Sequence, residues 1–267
     1  NRILGEISAP PAPCSYPFCK KSNARMKCGR CQNAYYCNKN CQKSHWNTIH
    51  KIECVASTVP RHKIRASDTL RTVQDAIRAA GVNDVIELPA GSFEGETLVV
   101  DKNVHIAGAR MEDTVLRCEL VVRQDNCTGG KIVIRDLTVK GPVSICENAY
   151  ENITFCSVTV DAGRINEDAL SVNVCKGKLL LYCCEIVGGS DGLSLMDRDT
   201  KATLEQTDIS FAHGRGIFAN PGFKIKESAV YNCGSYGIKG RGGWTDLGGN
   251  DIQPGPWSEW GGPAFGF

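Results

Sequence analysis

Five windows decide the fold: KIVIRDLTVK (131–140), NITFCSVTVD (152–161), KLLLYCCEIV (178–187), KATLEQTDIS (201–210) and GFKIKESAVY (222–231). Read one beneath another, they put Ile134, Phe155, Leu181, Leu204 and Ile225 in one column. Five residues on, Val139, Val160, Ile186, Ile209 and Val230 form a second. The steps between units are 21, 26, 23 and 21 residues. Short apolar, largely β-branched runs that recur every twenty-odd residues, with turn residues between them, are the mark of a β-solenoid. One unit has too few inward residues to fold alone, so the units must stack into a continuous core. A third column, Ala169-Leu170, Gly192-Leu193, Gly216-Ile217 and Gly237-Ile238, fits the same scheme. Helical repeats are excluded by the β-branched runs, and leucine-rich repeats by the missing leucine and asparagine frame.

Upstream of the repeats, Leu70, Val73, Ala76, Ile77 and Ala80 recur at helical spacing, and Gly81 suits the C-terminal cap. The stretch TVQDAIRAAGVNDVIELPAGSFEGE (72–96) resembles the amino-terminal cap of right-handed parallel β-helices of the pectin-lyase-like group. That resemblance covers residues 68–240. It implies a mainly β fold of six to eight rungs, about 30–35 Å long at ~4.8 Å per stacked strand. The helix would plug the first end, where open strand edges invite aggregation.

The chain's amino-terminal part has a different logic. Cys14, Cys19, Cys28, Cys31, Cys37, Cys41, His45, His50 and Cys54 follow one another within it. Pairs two to four residues apart can reach one zinc ion from a single turn, and seven cysteines with one histidine make two complete four-ligand sites. Closed sites of this kind are structural. The spacing, with Tyr36-Cys37, Cys41-Gln42, His45-Trp46 and His50-Lys51, resembles the MYND zinc finger. The resemblance implies a cross-brace: Cys14, Cys19, Cys37 and Cys41 on one zinc, Cys28, Cys31, His50 and Cys54 on the other, and His45 outside both. One departure is the first pair, Cys-x4-Cys where x2 is more usual. The resemblance also implies binding of proline-rich partner segments through Tyr36, Gln42 and Trp46, because a preformed polyproline segment loses little entropy on docking to an aromatic groove. The domains expected are a leader (1–13) holding Pro10-Pro11-Ala12-Pro13, the finger (14–54), a linker (55–67), the β-helix (68–240) and a Gly/Trp/Pro-rich tail (241–267).

Composition narrows the function classes. A net charge of +2 carries no global nucleic-acid signal, although the finger itself is basic. No apolar run approaches the ~20 residues of a membrane span. Dense thiolate ligands suit a reducing compartment, so an intracellular protein of cytoplasm or nucleus is expected, with Cys118, Cys127, Cys146, Cys156, Cys175, Cys183, Cys184 and Cys233 reduced. The first residue is Asn1, which admits a processed terminus and an organelle.

One further column bears on catalysis. Asp168, Asp191, Arg215 and Tyr236 each precede the small residue of the repeated turn, and stacking would bring two carboxylates and a guanidinium together. The arginine and paired-aspartate motifs of pectin-cleaving enzymes are missing, and such enzymes are usually secreted. The expectation is therefore a non-catalytic adaptor or assembly subunit, with the finger and the β-helix as two binding surfaces. The alternatives are a lyase-like carbohydrate-active enzyme using that column, and a transcriptional cofactor. The tail, with Trp244, Trp257 and Trp260, either covers the last rung or anchors a larger complex.

Overall fold

The computed structural model describes residues 12–16, 19–51, 54–65, 67–123, 131–146, 152–163, 170–253, 255–256 and 265–266. The chain divides into two compact units, Asn1–Val59 and Pro60–Phe267. In the first, β1 (Met26–Lys27) pairs antiparallel with β2 (Tyr35–Tyr36), and α1 (Lys39–His45) leads into a single π-helical turn, Trp46–His50. Helix α1 starts where it does because the Asn38 side chain accepts from the Cys41 N–H at 2.9 Å. Its core is Tyr36, Ala24 and Ala34 among cysteines. So little apolar surface cannot offset the entropy of ordering the chain, and a unit of this size relies on metal.

The second unit is a parallel β-helix of about eight turns. Its ladder keeps the register of the two apolar columns: Ile134 pairs with Phe155, Phe155 with Leu181, Leu181 with Leu204, and Leu204 with Ile225. Val139, Val160, Ile186, Ile209 and Val230 pair likewise. All ten side chains are buried in one core, each contributing roughly 1.5–3 kcal/mol. The third column holds from Leu193 through Ile217 to Ile238, but Val172, not Leu170, is the partner of Leu193. The longest of the four column steps, 26 residues from Phe155 to Leu181, contains this segment and makes room for the shift.

Helix α2 (Leu70–Ala79) buries Leu70, Val73 and Ile77. Its Gln74 amide donates to the Val99 carbonyl at 3.0 Å and accepts from the Val99 N–H at 2.8 Å. One side chain thus stands in for the peptide of a missing neighbouring strand. The helix ends at an extended Ala80 rather than a left-handed Gly81. Lys102 Nζ takes its last carbonyls instead, at 2.7 Å from Arg78 and 3.2 Å from Ala80.

The ladder also reaches past the boundaries expected for it. Strand β3 (Arg61–Lys63), inside the segment read as linker, pairs with Val85–Glu87. Beyond residue 240, Trp244–Asp246 pairs with Phe223–Ile225, and the Trp244 ring stacks on Phe223 at 6.3 Å. Phe265–Gly266 pairs with Ile238–Lys239. The leader prolines Pro10 and Pro11, and Trp257 and Trp260 of the tail, lie outside the described residues.

Five successive rungs turn at a corner where the backbone is left-handed. Asp136, Ser157, Cys183, Gln206 and Glu227 occupy it in successive rungs with φ of 48–56°. None is glycine, and each costs roughly 1–2 kcal/mol. Side-chain contacts along the corner offset part of this: Cys183 Sγ to Gln206 Oε1 at 3.1 Å, and Gln206 Nε2 to Glu227 Oε2 at 2.9 Å.

Candidate metal centre

Strand β2 and α1 bring the metal-binding types together. Cys14, Cys19, Cys37 and Cys41 form one group, and Cys28, Cys31, His50 and Cys54 another, with donor atoms in each within 4.8 Å of one another. Donor separations are 3.5 Å for Cys19–Cys37, 3.3 Å for Cys37–Cys41, 3.7 Å for Cys28–Cys54 and 3.6 Å from Cys31 Sγ to His50 Nε2. A tetrahedron with Zn–S bonds of about 2.3 Å needs sulfurs about 3.8 Å apart. The donor sets therefore fit zinc, with four donors each and no position left for a reacting water. The second group is buried throughout, and the first is partly exposed.

His45 stays out of both groups. Its Nδ1 lies 3.0 Å from the Tyr36 hydroxyl, and its ring stacks on His50 at 5.0 Å. Burial pushes its pKa down to about 4, so it sits there neutral.

Of the three residues expected to meet a partner, one is placed elsewhere. Tyr36 is 0% exposed, so its ring belongs to the core and cannot contact a ligand. Gln42 and Trp46 are half-buried and four residues apart, hence on one helical face. The indole is held edge-on against His50 at 5.8 Å. Tyr35, half-exposed with Lys27 Nζ 5.0 Å from its ring centroid, is the aromatic that sequence reasoning passed over. The sequence Tyr35-Tyr36 before Cys37 already implies one internal ring, and strand alternation makes it Tyr36, with Tyr35 outward. A basic groove lined by Lys20, Lys21, Ser22, Asn23, Arg25 and Asn38 borders Cys37.

On the β-helix, the acidic column does not form as expected. The register sets Ser171 beside Gly192, so Leu170 rather than Asp168 neighbours Asp191, and Asp168 lies outside the described residues. Asp191, 4% exposed, is already occupied: it accepts from Arg215 Nε at 2.9 Å, Nη2 at 2.6 Å and the backbone N at 2.9 Å. Arg215 in turn lies over the Phe218 ring at 3.9 Å.

Comparison with known proteins agrees with this division. The MYND finger family profile matches residues 14–54. N-lysine methyltransferase SMYD2-B of Danio rerio is 43% identical over 60 residues, which is 22% of this chain and 13% of that protein. N-lysine methyltransferase SMYD2 of Homo sapiens is 43% identical over 58 residues, with the same coverage. The chain thus spans about an eighth of the length of these relatives. Among solved structures, the A-module of the Azotobacter vinelandii mannuronan C-5 epimerase AlgE4 matches with a TM-score of 0.50 and 19% identity, over 64% of this chain and 54% of that one. That likeness is one of fold. Residues 14–54 are a MYND finger, a protein-interaction module with two groups suited to zinc, and a parallel β-helix follows it.

One expectation falls here. The missing lyase motifs predict a β-helix without catalytic activity, yet a solved structure that shares its fold is an enzyme. The motifs tested belong to pectin-cleaving branches, and their absence does not bear on other chemistry carried by the same fold.

Proposed function

We propose that this chain is an interaction protein whose finger captures a proline-rich segment of a partner and whose β-helix offers a second surface. Zinc on Cys14, Cys19, Cys37 and Cys41, and on Cys28, Cys31, His50 and Cys54, would hold the finger rigid and supply no reactive ligand position. The carrying observation is the placement of Gln42 and Trp46 on one face, with the indole braced by His50. A rigid aromatic at a fixed angle suits the flat rings of a polyproline segment. The groove of Lys20, Lys21 and Arg25 favours a segment with an acidic flank. Thiolate sites of this density operate in a reducing compartment, which supports an intracellular setting.

The test is an array of proline-containing peptides probed with the zinc-loaded full chain. Trp46→Ala and Gln42→Ala should each weaken the peptides selected by at least tenfold while both zinc ions are retained. Unchanged binding with zinc intact would overturn the reading.

A second reading rests on the fold shared with the mannuronan epimerase: the β-helix acts on a uronate polymer. Proton NMR of mannuronan incubated with the chain would show new guluronate or unsaturated ends. A polymer unchanged with and without calcium would count against it.

A further inference from the structure

On one edge of the β-helix the ladder continues one residue beyond the short strands. Arg123 N donates to the Val100 carbonyl at 3.0 Å, Cys146 N to Val122 at 2.9 Å, Cys175 N to Ile145 at 2.8 Å, Met196 N to Val174 at 3.0 Å and Asn220 N to Leu195 at 3.0 Å. These bonds fix a register in which Cys146, Cys175 and Met196 occupy the same position in three consecutive rungs. Both cysteines are half-exposed, and Met196 is 45% exposed. The Asn173 amide donates to Cys175 Sγ at 3.8 Å. Cys118 and Cys184 of the same unit are buried instead, and burial pushes their thiols up to about 11 and about 12, which keeps both protonated.

We propose that Cys146, Cys175 and Met196 form a surface site for a soft monovalent metal ion of the copper(I) class. Stacked strands set equivalent residues ~4.8 Å apart. Cysteines in adjacent rungs can therefore bring both sulfurs to one ion through a change of side-chain rotamer. Met196, one rung further and with three rotatable bonds, can bring its thioether into the third position. Two thiolates and a thioether select a soft ion. Zinc, which takes four ligands in a tetrahedron, is better served by the finger. Loading would release the two thiol protons and involve no change of oxidation state.

The experiment uses the full chain with both zinc ions bound. Copper(I) is added anaerobically from a chromogenic chelator that competes for it, while a zinc-responsive dye reports any zinc released. One equivalent of copper should leave the chelator before zinc appears. Cys146→Ser/Cys175→Ser should lose that equivalent, keep both zinc ions and keep its circular dichroism. Met196→Leu, which preserves volume, should weaken the copper affinity by at least tenfold. A first equivalent that displaces zinc from the parent chain overturns the proposal. So does an equal copper uptake by the double variant, or a Met196→Leu variant that binds like the parent.

Discussion

Removing the guanidinium of Arg215 should cost the β-helix about 2–3 kcal/mol, and the structure says where each part comes from. Asp191 is 4% exposed and accepts two charge-assisted bonds from the Arg215 side chain, at 2.9 and 2.6 Å. Such bonds are worth roughly 1.5–3 kcal/mol together when one partner is charged and buried. The Arg215 side chain is 31% exposed, so solvent screens the pair and the lower half of that range applies. Arg215→Ala also lifts the cation from the Phe218 face, which lies 3.9 Å away, for about 1 kcal/mol more. The backbone N–H of residue 215 remains on Asp191 in the variant, so the carboxylate is not orphaned. A double-mutant cycle with Asp191→Ala, read by urea unfolding with circular dichroism at neutral pH and saturating zinc, isolates the pair. A coupling of at least about 1 kcal/mol is expected, and 1 M salt should leave most of it, because the carboxylate is hidden from counter-ions. Additive single effects, within about 0.4 kcal/mol, would refute the claim that Asp191 is held by Arg215 and would return it to the pool of available carboxylates.

Three further outcomes follow from the same geometry. Chelating zinc should unfold residues 14–54 while the strand signal of the β-helix persists, because the two units have separate apolar cores; limited proteolysis should cut the finger and spare residues 131–240. His105 is buried, and desolvation, then the charges of Lys131, Arg135 and Arg61, lower its pKa from 6.5 to about 4. Its unfolded form takes up the proton first, so stability is full above pH 6.5 and falls toward pH 4 by up to about 3 kcal/mol; the loss should be shallower in His105→Gln, measured by urea midpoints across that range. At Gly216 an added Cβ would stand 2.7 Å from the Gly237 carbonyl oxygen and 2.3 Å from a Val230 methyl; Gly216→Ala should lower the thermal midpoint by several degrees, a cost of about 1–3 kcal/mol, whereas Gly243→Ala, with open space around it, should not.

The two apolar columns could be read from sequence because a parallel ladder stacks like on like: Leu181 and Leu204 carry the same pattern of neighbours and so the same residue class. The zinc ligand pairs were legible for a similar reason, since ligand spacing reflects the turns that carry Cys28-x2-Cys31 and Cys37-x3-Cys41, while the family resemblance supplied which pairs share an ion. Other features left no such trace. The left-handed corners were invisible because glutamine, glutamate and cysteine fill them where glycine would have announced the bend. Strand β3 was hidden by its Arg-His-Lys composition, and its pairing with Val85–Glu87 is held partly by an Arg61–Glu87 ion pair. The pairing of Leu170 with Leu193 failed because one rung is longer than the others, and a spacing rule cannot say where within a rung the extra residues fall. Tyr36 was misplaced because family likeness names a position without saying which way its ring points.

The ladder register gives the chain a metric. Residues that pair across rungs stand 20 to 29 apart in sequence, and each such step advances about one strand spacing along the axis. Single insertions inside a strand would rotate every following side chain to the opposite face, whereas insertions at a corner would leave the stack in phase. Variation in length should therefore enter this unit in two forms only, as enlarged corners or as whole added turns. Two surface groups can then be moved apart in fixed increments of about 5 Å without altering either one, so the reach between binding positions on this scaffold is a quantity that evolution or an engineer can adjust by counting.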